Sequence, residues 1–489
     1  MLCTGRSTLL NEGLSLKCKY SYVMHKKNVI PTLHGNWLKH LVFILSLIMF
    51  FFSVVLWTFF DPSVNTFQYV CALQYGSSNI YFGIDGISLC LILLTSFFMP
   101  LCILSTWNNV HTNTEYLLCL FSIEVLLWLV FSVLHLIWFY VFFESILIPF
   151  FIMIGIRGSR ERKTHAAYML FFYTLCGSIV MLVSICVLFL HAGSTYYVLL
   201  WDAEFSNSME YVLWFAFFVA FAIKVPIYPF HIWLPEAHVE SPTEGSVILA
   251  AILLKVGGYG MLRVLLPEFP HATMYFSPLV ITLCIISTIY TSFATMRQTD
   301  IKRIIAYSSV AHMSIVLIGI FCLSTTSLVG SVVMMFGHGV VSGGLFFLVG
   351  MLYDRHKTKI VFYYTGIVHC MPIFSVLFLI FILGNISLPG TLNFVGEFLI
   401  LLSTLWSDNI MCISAIGCSI FVCSFYSLYV YNRVSYGLPS NIVIFRDLCI
   451  REFAIMLPIL VYLLFLGLYP TPLIDVLELS CYSIAQVWC

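Results

Sequence analysis

Six ionisable residues lie inside long apolar stretches of the chain, where charged groups are rare. They are two glutamates, two lysines and two histidines: Glu144, Lys224, Lys255, His312, His338 and Glu397. Burial disfavours the charged form of an amine and a nearby carboxylate favours it, so a Glu–Lys pair whose separation changes takes up and releases a proton. Histidine transfers protons near neutral pH. These residue types together indicate a path for protons, and the six residues are our candidate catalytic residues.

The cost of burying these charges favours a function over a purely structural role. A charge at the centre of a membrane helix costs about 2.5–3.5 kcal/mol, so the four Glu and Lys residues would cost on the order of 10–14 kcal/mol if they faced lipid. The alternative is that they form ion pairs that only hold helices together, but apolar residues often stabilise a core as well as a buried ion pair does. Haem ligation by two histidines is a rival interpretation. Weaker candidates for the path are Glu124, His135, His231 and His238.

Two apolar stretches are interrupted by helix-breaking residues close to the charges. FAIKVPIYPFHIWLPEAH (221–238) contains Lys224, and NISLPGTLNFVGEFL (385–399) contains Glu397. Proline removes a helical hydrogen bond and frees a carbonyl, and irregular backbone at membrane depth persists only inside protein or beside water. We therefore predict two broken helices beside a polar site. The breaking residues are Pro226 and Pro229 in the first stretch and Pro389 and Gly390 in the second.

The composition predicts that membrane helices position these residues. Of the 489 residues, 61% are hydrophobic and 9% are charged, whereas soluble domains carry about 25% charged residues. Apolar runs long enough for spanning helices recur throughout the chain. We predict an all-α polytopic membrane protein with about 13 transmembrane helices, at 38–60, 86–106, 115–135, 136–156, 167–190, 211–234, 244–266, 273–296, 303–323, 328–352, 372–405, 410–431 and 454–470.

The positions of lysine and arginine predict the orientation of the chain. Of the 22 such residues, Lys224, Lys255 and Arg263 lie within predicted spans, and the other nineteen (22 minus three) all fall on one side of the thirteen spans. The opposite loops, including 61–85 and 191–210, contain none. The positive-inside rule therefore places the N-terminus inside. The net charge of zero gives no support for binding nucleic acid.

The two predicted breaks also indicate an internal repeat. The spans within 115–266 and those within 273–431 form two sets of five, and the broken helix is the fourth in each set. Because five is odd, the second set enters the membrane inverted, as in transporters with paired broken helices. The remaining regions are a polar, basic N-terminal segment (1–37), peripheral transmembrane helices (38–114), and a C-terminal loop, transmembrane helix and tail (432–489). The first segment is interpreted as a solvated inner tail, with an organelle-targeting segment as the alternative.

Cysteine and glycine patterns favour packing over cofactor binding. The 17 cysteines are scattered without a C-x-x-C pair, which favours small apolar core residues over a metal or cluster site. The strings VGGYG (256–260) and GHGVVSGG (337–344) lie within spans, where small residues allow helices to approach closely. We expect no cofactor and no metal site in this chain. The densest cysteine group is Cys412, Cys418 and Cys423.

Three segments resemble the chain 4 family of proton-pumping NADH:quinone oxidoreductase, respiratory complex I. They are PFHIWLPEAHVESPTEGSVILAAILLKVGGYGMLR (229–263), QTDIKRIIAYSSVAHM (298–313) and LPGTLNFVGEFLIL (388–401), and the similarity covers roughly residues 80 to 475. The ILLK-x-G-x-YG-x-x-R run resembles chain 4 more than the related chains 2 and 5. The resemblance implies one of the antiporter-like membrane-arm subunits, which translocate protons while redox chemistry occurs elsewhere.

The resemblance also implies partners, location and residue roles. NADH, FMN, iron–sulfur clusters and ubiquinone would be bound by other subunits, and the partners would be membrane-arm subunits, including chains 2 and 5, and lipid. The location would be the mitochondrial inner membrane, with the N-terminus on the matrix side. By matching motif, the family's paired glutamate and lysine are Glu144 and Lys224, its central-axis lysine is Lys255, its relay histidines are His312 and His338, and its exit-side glutamate is Glu397.

One departure from the family and two alternative functions stay open at this point. Family members usually have fourteen spans with an apolar first helix, whereas 1–37 is polar and basic here. Either the chain is trimmed or another subunit fills the gap. A Mrp-type cation/proton antiporter uses the same charged motifs and is the main alternative function. A structural membrane scaffold is the third.

Overall fold

The structure is a computed structural model that describes residues 33–75, 78–107, 114–158, 161–407, 409–438 and 446–486. Most of the predicted polar segment 1–37 lies outside these residues. Helix α1 spans Leu33–Thr58 and begins within that segment rather than at residue 38. The prediction was too short because it followed the apolar run alone, and a helix continues through polar residues beyond the apolar core of a membrane.

A β-hairpin follows α1 where the sequence predicted only a loop. Strand β1 (Gln68–Tyr75) pairs with the antiparallel strand β2 (Ser78–Ile84). Both strands are rich in the aromatic and β-branched residues that favour strands. Helix α2 (Gly86–Ser105) begins directly afterwards. The Asp85 side chain accepts a hydrogen bond from the backbone N–H of Ser88, and the Ser88 hydroxyl accepts one from the backbone N–H of Asp85.

The first of the two helix groups runs from residue 114 to 268. The helices are α3 Thr114–Ser132, α4 Leu136–Ser145, α5 Leu147–Arg157, α6 Lys163–Ala192, α7 Tyr197–Trp201, α8 Asn207–Lys224, α9 Trp233–Glu240, α10 Thr243–Ile248, α11 Leu254–Gly260 and α12 Leu266–Glu268. Four of its helices, α7, α10, α11 and α12, have seven residues or fewer. Two π-helical turns, Leu249–Leu253 and Met261–Leu265, interrupt the span between α10 and α12.

The second helix group runs from residue 270 to the C-terminal region. Its helices are α13 Pro270–Met296, α14 Ile301–Phe321, α15 Thr325–His356, α16 Ile367–Cys370, α17 Pro372–Asn385, α18 Leu392–Trp406, α19 Ile410–Ser435, α20 Ile450–Leu468 and α21 Thr471–Gln486, with a 3₁₀ turn at Val361–Tyr363. Helix α21 lies against α2 and α15. The sequence predicted only a tail there, because the helix is too polar to register as a span.

The predicted class, an all-α polytopic membrane protein, is confirmed. Eleven helical stretches of the described residues are long and apolar enough to cross a membrane, and α17 and α18 are shorter apolar helices. The count of thirteen spans and the inverted repeat stay predictions.

The helices differ greatly in how deeply they are buried. Helices α2, α14, α15 and the α10–α12 span are buried along almost their whole length, whereas α1, α6 and α20 expose most of theirs. Large apolar side chains on the outer helices, such as Phe51, Leu190 and Val461, face outward. This pattern suits a protein whose solvent is lipid, and it places polar residues of the buried helices in the interior.

Candidate functional site

The first broken helix ends at Lys224. Helix α8 terminates at this residue, residues 225–232 are not helical, and α9 resumes at Trp233. Pro226 and Pro229 both lie in this break. The Trp233 indole Nε1 donates to the carbonyl of Ile223 over 2.9 Å and so satisfies one of the last carbonyls of α8, which have no partner within the helix. The Lys224 side chain is buried at the end of α8.

Glu144 lies beside Lys224, next to an irregularity in its own helix. Helices α4 and α5 meet at Ile146, because Pro149 has no N–H to donate to the carbonyl four residues earlier. The Lys224 Nζ lies 4.1 Å from the centre of the Phe143 ring. Glu144 is within electrostatic range of Lys224, and its Oε1 is buried without a hydrogen-bond partner among the described residues. The amine therefore rests on an aromatic face beside its carboxylate partner.

Glycine allows the next helix to reach this break. A Cβ on Gly257 would lie 2.5 Å from Val225 Cγ2 and 3.1 Å from Lys224 Cβ. Such contacts are too short for any side chain, so α11 approaches the break closely only because residue 257 is glycine. This contact supports the packing interpretation of the VGGYG string. It also places Lys255, two residues away, near the first break.

Lys255 lies on α11 between the two π-helical turns. Its Nζ donates to the carbonyl of Ala250 over 2.6 Å and lies 2.9 Å from Nδ1 of His338. Ala250 belongs to the first π-helical turn, and such turns frequently occur at functional sites, where they redirect backbone groups. The Lys255 side chain has no solvent exposure. The two contacts hold the amine between the first helix group and α15.

The polar contacts continue from His338 to Glu397. The His338 and His312 ring centres lie 5.7 Å apart, and His312 Nδ1 lies 3.2 Å from Glu397 Oε1. Helices α15, α14 and α18 carry these residues in that order, and all three side chains are buried. The structure thus brings Lys255, His338, His312 and Glu397 into one line of side chains. Glu144 and Lys224 form a separate pair at the first break.

The second broken helix borders the end of this line. Helix α17 ends at Asn385 and α18 begins at Leu392. Pro389 and Gly390 lie between them, and Gly390 has a φ of +93°, which favours glycine. The break therefore occurs where the sequence predicted it, and it lies one turn before Glu397.

Three residues near His312 were missed as site residues. The Cys423 Sγ lies 4.0 Å from His312 Nε2 and donates to the carbonyl of Asn385 over 3.4 Å, while the Tyr426 hydroxyl donates to Cys423 Sγ over 2.9 Å. They line a cavity of about 10 Å³ with His312 and Glu397, which is room for about one water molecule. Cys423 is buried as expected, but it also contacts the site. The position of Asn385 at the last residue before the break was the available signal.

Two lysines that were assigned to loops are in fact buried. The Lys302 Nζ donates to the Ser241 carbonyl over 3.0 Å and to Ser246 Oγ over 3.1 Å, and Lys359 donates to the Val239 carbonyl. The two carbonyls lie at or just after the C-terminal end of α9, where a helix favours positive charge. Counting Lys and Arg by loop cannot distinguish a capping lysine from a solvated one.

The weaker candidates do not join the line of contacts. His238 stacks on Phe346 with ring centres 4.7 Å apart, and neither of its ring nitrogens has a hydrogen-bond partner among the described residues. Glu124 is buried without a hydrogen-bond partner for its carboxylate in the same part of the chain. His231 packs against Tyr290 and His135 against Tyr196. Across the described ranges, no group of three or more His, Cys, Asp and Glu residues is placed to hold a metal ion.

Comparison with known proteins gives the family. Residues 134–423 match the family described as "NADH:quinone oxidoreductase/Mrp antiporter, TM". NADH-ubiquinone oxidoreductase chain 4 of Marchantia polymorpha is 48% identical over 465 residues, which cover 94% of each chain. The same chain of Arabidopsis thaliana is 49% identical over 448 residues, which cover 90% of each. The chain belongs to the NADH-ubiquinone oxidoreductase chain 4 family.

Chains from two kinds of membrane complex of known structure share the fold of this chain. A chain of respiratory complex I from Thermus thermophilus with bound NADH superposes with a TM-score of 0.86 at 26% identity, covering 92% of this chain and 95% of that one. A chain of the Mrp complex from Dietzia sp. DQ12-45-1b superposes with a TM-score of 0.83 at 16% identity, covering 93% and 95%. The Mrp likeness shows a shared fold, whereas the identity to chain 4 relatives is far higher.

Proposed function

We propose that this chain translocates protons as a membrane-arm subunit of NADH:ubiquinone oxidoreductase. The observation that carries the proposal is the line of buried contacts from Lys255 through His338 and His312 to Glu397. Each of these four side chains can bind a proton, and the line runs from the first helix group to the second. A scaffold needs paired charges, but it does not need two histidines placed between a lysine and a carboxylate.

Lys224 is the residue that stores a proton in the first half, and Glu144 adjusts how tightly it is held. The Lys224 amine lies on the Phe143 ring, which attracts a cation by about 0.5–2 kcal/mol. Movement of the amine toward Glu144 favours the charged form, and movement away from the carboxylate favours release of the proton. The break beside Lys224 supplies the irregular backbone at which such a movement takes place.

Lys255 passes the proton to the second half. Its Nζ lies within hydrogen-bond distance of His338 Nδ1, and the two histidine rings are close enough for transfer after a ring rotation or through one bridging water. His312 is already hydrogen-bonded to Glu397. Glu397 then releases the proton beside the second break.

The proposal extends to the remainder of the complex. Oxidation of NADH and reduction of ubiquinone take place in other subunits, which carry FMN and the iron–sulfur clusters, and this chain holds no redox centre. The names of the chain 4 relatives support membership of this complex. The chain contacts other membrane-arm subunits, including chains 2 and 5, in the mitochondrial inner membrane, with its N-terminus on the matrix side. The one-sided distribution of Lys and Arg supports that orientation.

The assembly state separates the proposal from its two alternatives. After mild detergent extraction, the chain should migrate on a native gel with a very large band that stains for NADH oxidation. A small particle that exchanges sodium for protons without NADH would support the Mrp-type antiporter instead. Normal pumping per assembled complex after Glu144 and Lys224 are both neutralised would support the scaffold.

The test of the first half of the path is Lys224→Ala, compared with Lys224→Arg. The alanine variant should lower proton pumping and coupled quinone reduction by about tenfold or more, because no side chain there can store a proton. NADH oxidation with an artificial electron acceptor should persist. Arginine keeps the charge but does not release a proton, so it should also fail to pump. Unchanged pumping in both variants would remove Lys224 from the path.

A further inference from the structure

A cavity at one end of the molecule is lined by a residue that lies two helical turns from Lys255. The proposed proton path does not use this side of Lys255. The end that carries loops 61–85 and 191–210 is called the outer end here. The cavity has a volume of about 280 Å³, and Phe67, Asp85, Trp201, Arg263 and Ser480 are among its lining residues. Pro62, Val64, Asn65 and Thr66 also line it and are exposed. Solvent at the outer end therefore reaches the buried Arg263.

Arg263 forms the inner wall of this cavity. Its guanidinium pairs with the Asp85 carboxylate, and the exposed fraction of the side chain is 5% for Arg263 and 13% for Asp85. The guanidinium lies over the rings of Phe67 and Tyr259, 4.9 Å and 5.7 Å from their centres. The carboxylate is also anchored by Ser88 at the start of α2. The cation is therefore the deeper charge of the pair.

Only two turns of helix separate Arg263 from Lys255. Lys255, Tyr259 and Arg263 are spaced by four residues and follow one face of the helix. Eight residues at 1.5 Å each give a separation of about 12 Å along the axis. Tyr259 is the intermediate residue of this stripe, and its hydroxyl donates to the Phe131 carbonyl over 3.2 Å. A polar side chain on each turn thus lies between the cavity and the backbone of the central lysine, whose amine reaches back to the Ala250 carbonyl.

The cavity end of this stripe is polar enough to attract water. The Tyr197 hydroxyl is within electrostatic range of Tyr259, Glu268 and Arg263. That hydroxyl, both Glu268 carboxylate oxygens and Arg263 Nε are buried without hydrogen-bond partners in the described part of the chain. Buried polar atoms of this kind are usually satisfied by ordered water. A hydrated stripe would conduct protons between the outer solvent and Lys255.

We propose that Arg263 is an electrostatic seal that prevents protons at the outer end from reaching Lys255. The inference rests on the proposed role of Lys255 as a proton carrier. A fixed cation at the narrow end of a hydrated passage raises the energy of an excess proton there, as it does in pores that exclude protons. Without the seal, a proton would return to Lys255 through Tyr259 and bypass His338. Asp85 pairs with the guanidinium, but the seal is the cation itself and not the ion pair.

The test measures passive proton leak in vesicles that contain the whole assembled complex, without NADH and under an imposed pH gradient. Arg263→Gln removes the cation and keeps a polar side chain, so the leak should rise about tenfold. Arg263→Lys retains the cation and should leak like the unaltered complex. Asp85→Asn breaks the ion pair but leaves the guanidinium charged, so its leak should also stay close to that of the unaltered complex.

The comparison of these variants separates a seal from a structural ion pair. Equal leaks in Arg263→Gln and Asp85→Asn would mean that the pair only holds the fold, and the proposal would be wrong. No leak in Arg263→Gln at normal assembly would also overturn it. If that variant does not assemble, the double variant Arg263→Gln with Asp85→Asn removes both charges and keeps polar side chains, so that no buried charge is left unpaired. It should leak as well, and a tight double variant would contradict the seal.

A last variant identifies the route and separates this inference from the proposed function. Adding Lys255→Met to Arg263→Gln should return the leak to the level of the unaltered complex, because the passage would then lack its inner carrier. Persistence of the leak would show a general packing defect and would overturn the seal. Since the assay needs no NADH, failure of redox-driven pumping in Lys224→Ala is scored independently of it.

Discussion

The two helix groups differ in how each holds its charged pair. In the first, the Lys224 amine lies on the Phe143 ring, and no described ion pair joins it to Glu144. In the second, His312 and Glu397 are joined by a 3.2 Å hydrogen bond. The first pair is not in direct contact, whereas the second is hydrogen-bonded. We infer that the first break is the regulated element and that the second is a fixed relay.

The position of each charge relative to its break explains this difference. Lys224 is the last residue of α8, where the helix macrodipole stabilises a cation and holds it without a carboxylate contact. Glu397 lies in the second turn of α18, beyond the reach of most of the favourable potential at a helix start. It therefore depends on His312 as its partner.

The largest effect is expected where the two groups meet. Lys255→Met removes the donor to the Ala250 carbonyl and the contact with His338, so both groups lose their connection. Proton transfer by a positioned side chain contributes about 100-fold or more, and coupled quinone reduction should fall by about that factor. The measurement is turnover per assembled complex. Normal turnover would mean that the two groups work separately.

A smaller but asymmetric effect is expected from shortening each glutamate by one methylene. Glu397→Asp withdraws the carboxylate from His312 and should reduce pumping by about tenfold, because a charged hydrogen bond is worth about 1.5–3 kcal/mol. Glu144→Asp should reduce it only about twofold, since Glu144 makes no such contact with Lys224. Initial pumping rates in vesicles give the comparison. Equal losses would contradict the distinction between a regulated pair and a fixed relay.

Gly257→Ala tests the packing of α11 against the first break. The added methyl group would meet Val225 Cγ2 at 2.5 Å, and overpacking of this kind costs about 1–3 kcal/mol. Assembled complex should therefore decrease, and its denaturation temperature should fall. Gly417→Ala is the control, because nothing lies within 4 Å of the Cβ position there. Similar behaviour of the two variants would show that the close approach at Gly257 is not needed.

The smallest effect is expected from Cys423→Ser. A hydroxyl still accepts from Tyr426 and donates to the Asn385 carbonyl, so pumping should change less than about twofold. Cys423→Val removes both contacts and leaves the buried Tyr426 hydroxyl without its acceptor, and should reduce pumping further. Pumping rates per amount of assembled complex distinguish the serine variant from the valine variant. Loss of pumping in the serine variant would make the thiol itself part of the relay.

Much of the site was predictable because burying a charge in a membrane is costly. Lys224, Lys255, His312, His338 and Glu397 stood out as ionisable residues in apolar runs, and the structure buries all five. The prolines and the glycine at the two breaks were equally visible, because they prevent continuous helices. The assignment of roles to these residues stays a prediction.

What the sequence did not reveal depends on tertiary contacts. The π-helical turns around Lys255 left no signal, because that span is buried on all sides and has no apolar face whose periodicity they could shift. The burial of Lys302 follows from its contact with the end of a helix distant in sequence. Cys423 looked like any other core cysteine until its distance to His312 was known. The hairpin between α1 and α2 was missed because it lies between two spans and has no membrane signature.

The most direct test of the proton path is His338→Phe, measured as initial proton pumping by the assembled complex in sealed vesicles. Phenylalanine keeps an aromatic ring between Lys255 and His312 and removes both ring nitrogens. We predict that NADH-driven pumping falls by about tenfold or more, while NADH oxidation with an artificial electron acceptor is unchanged. Pumping at the rate of the unaltered complex would contradict a path through Lys255, His338, His312 and Glu397.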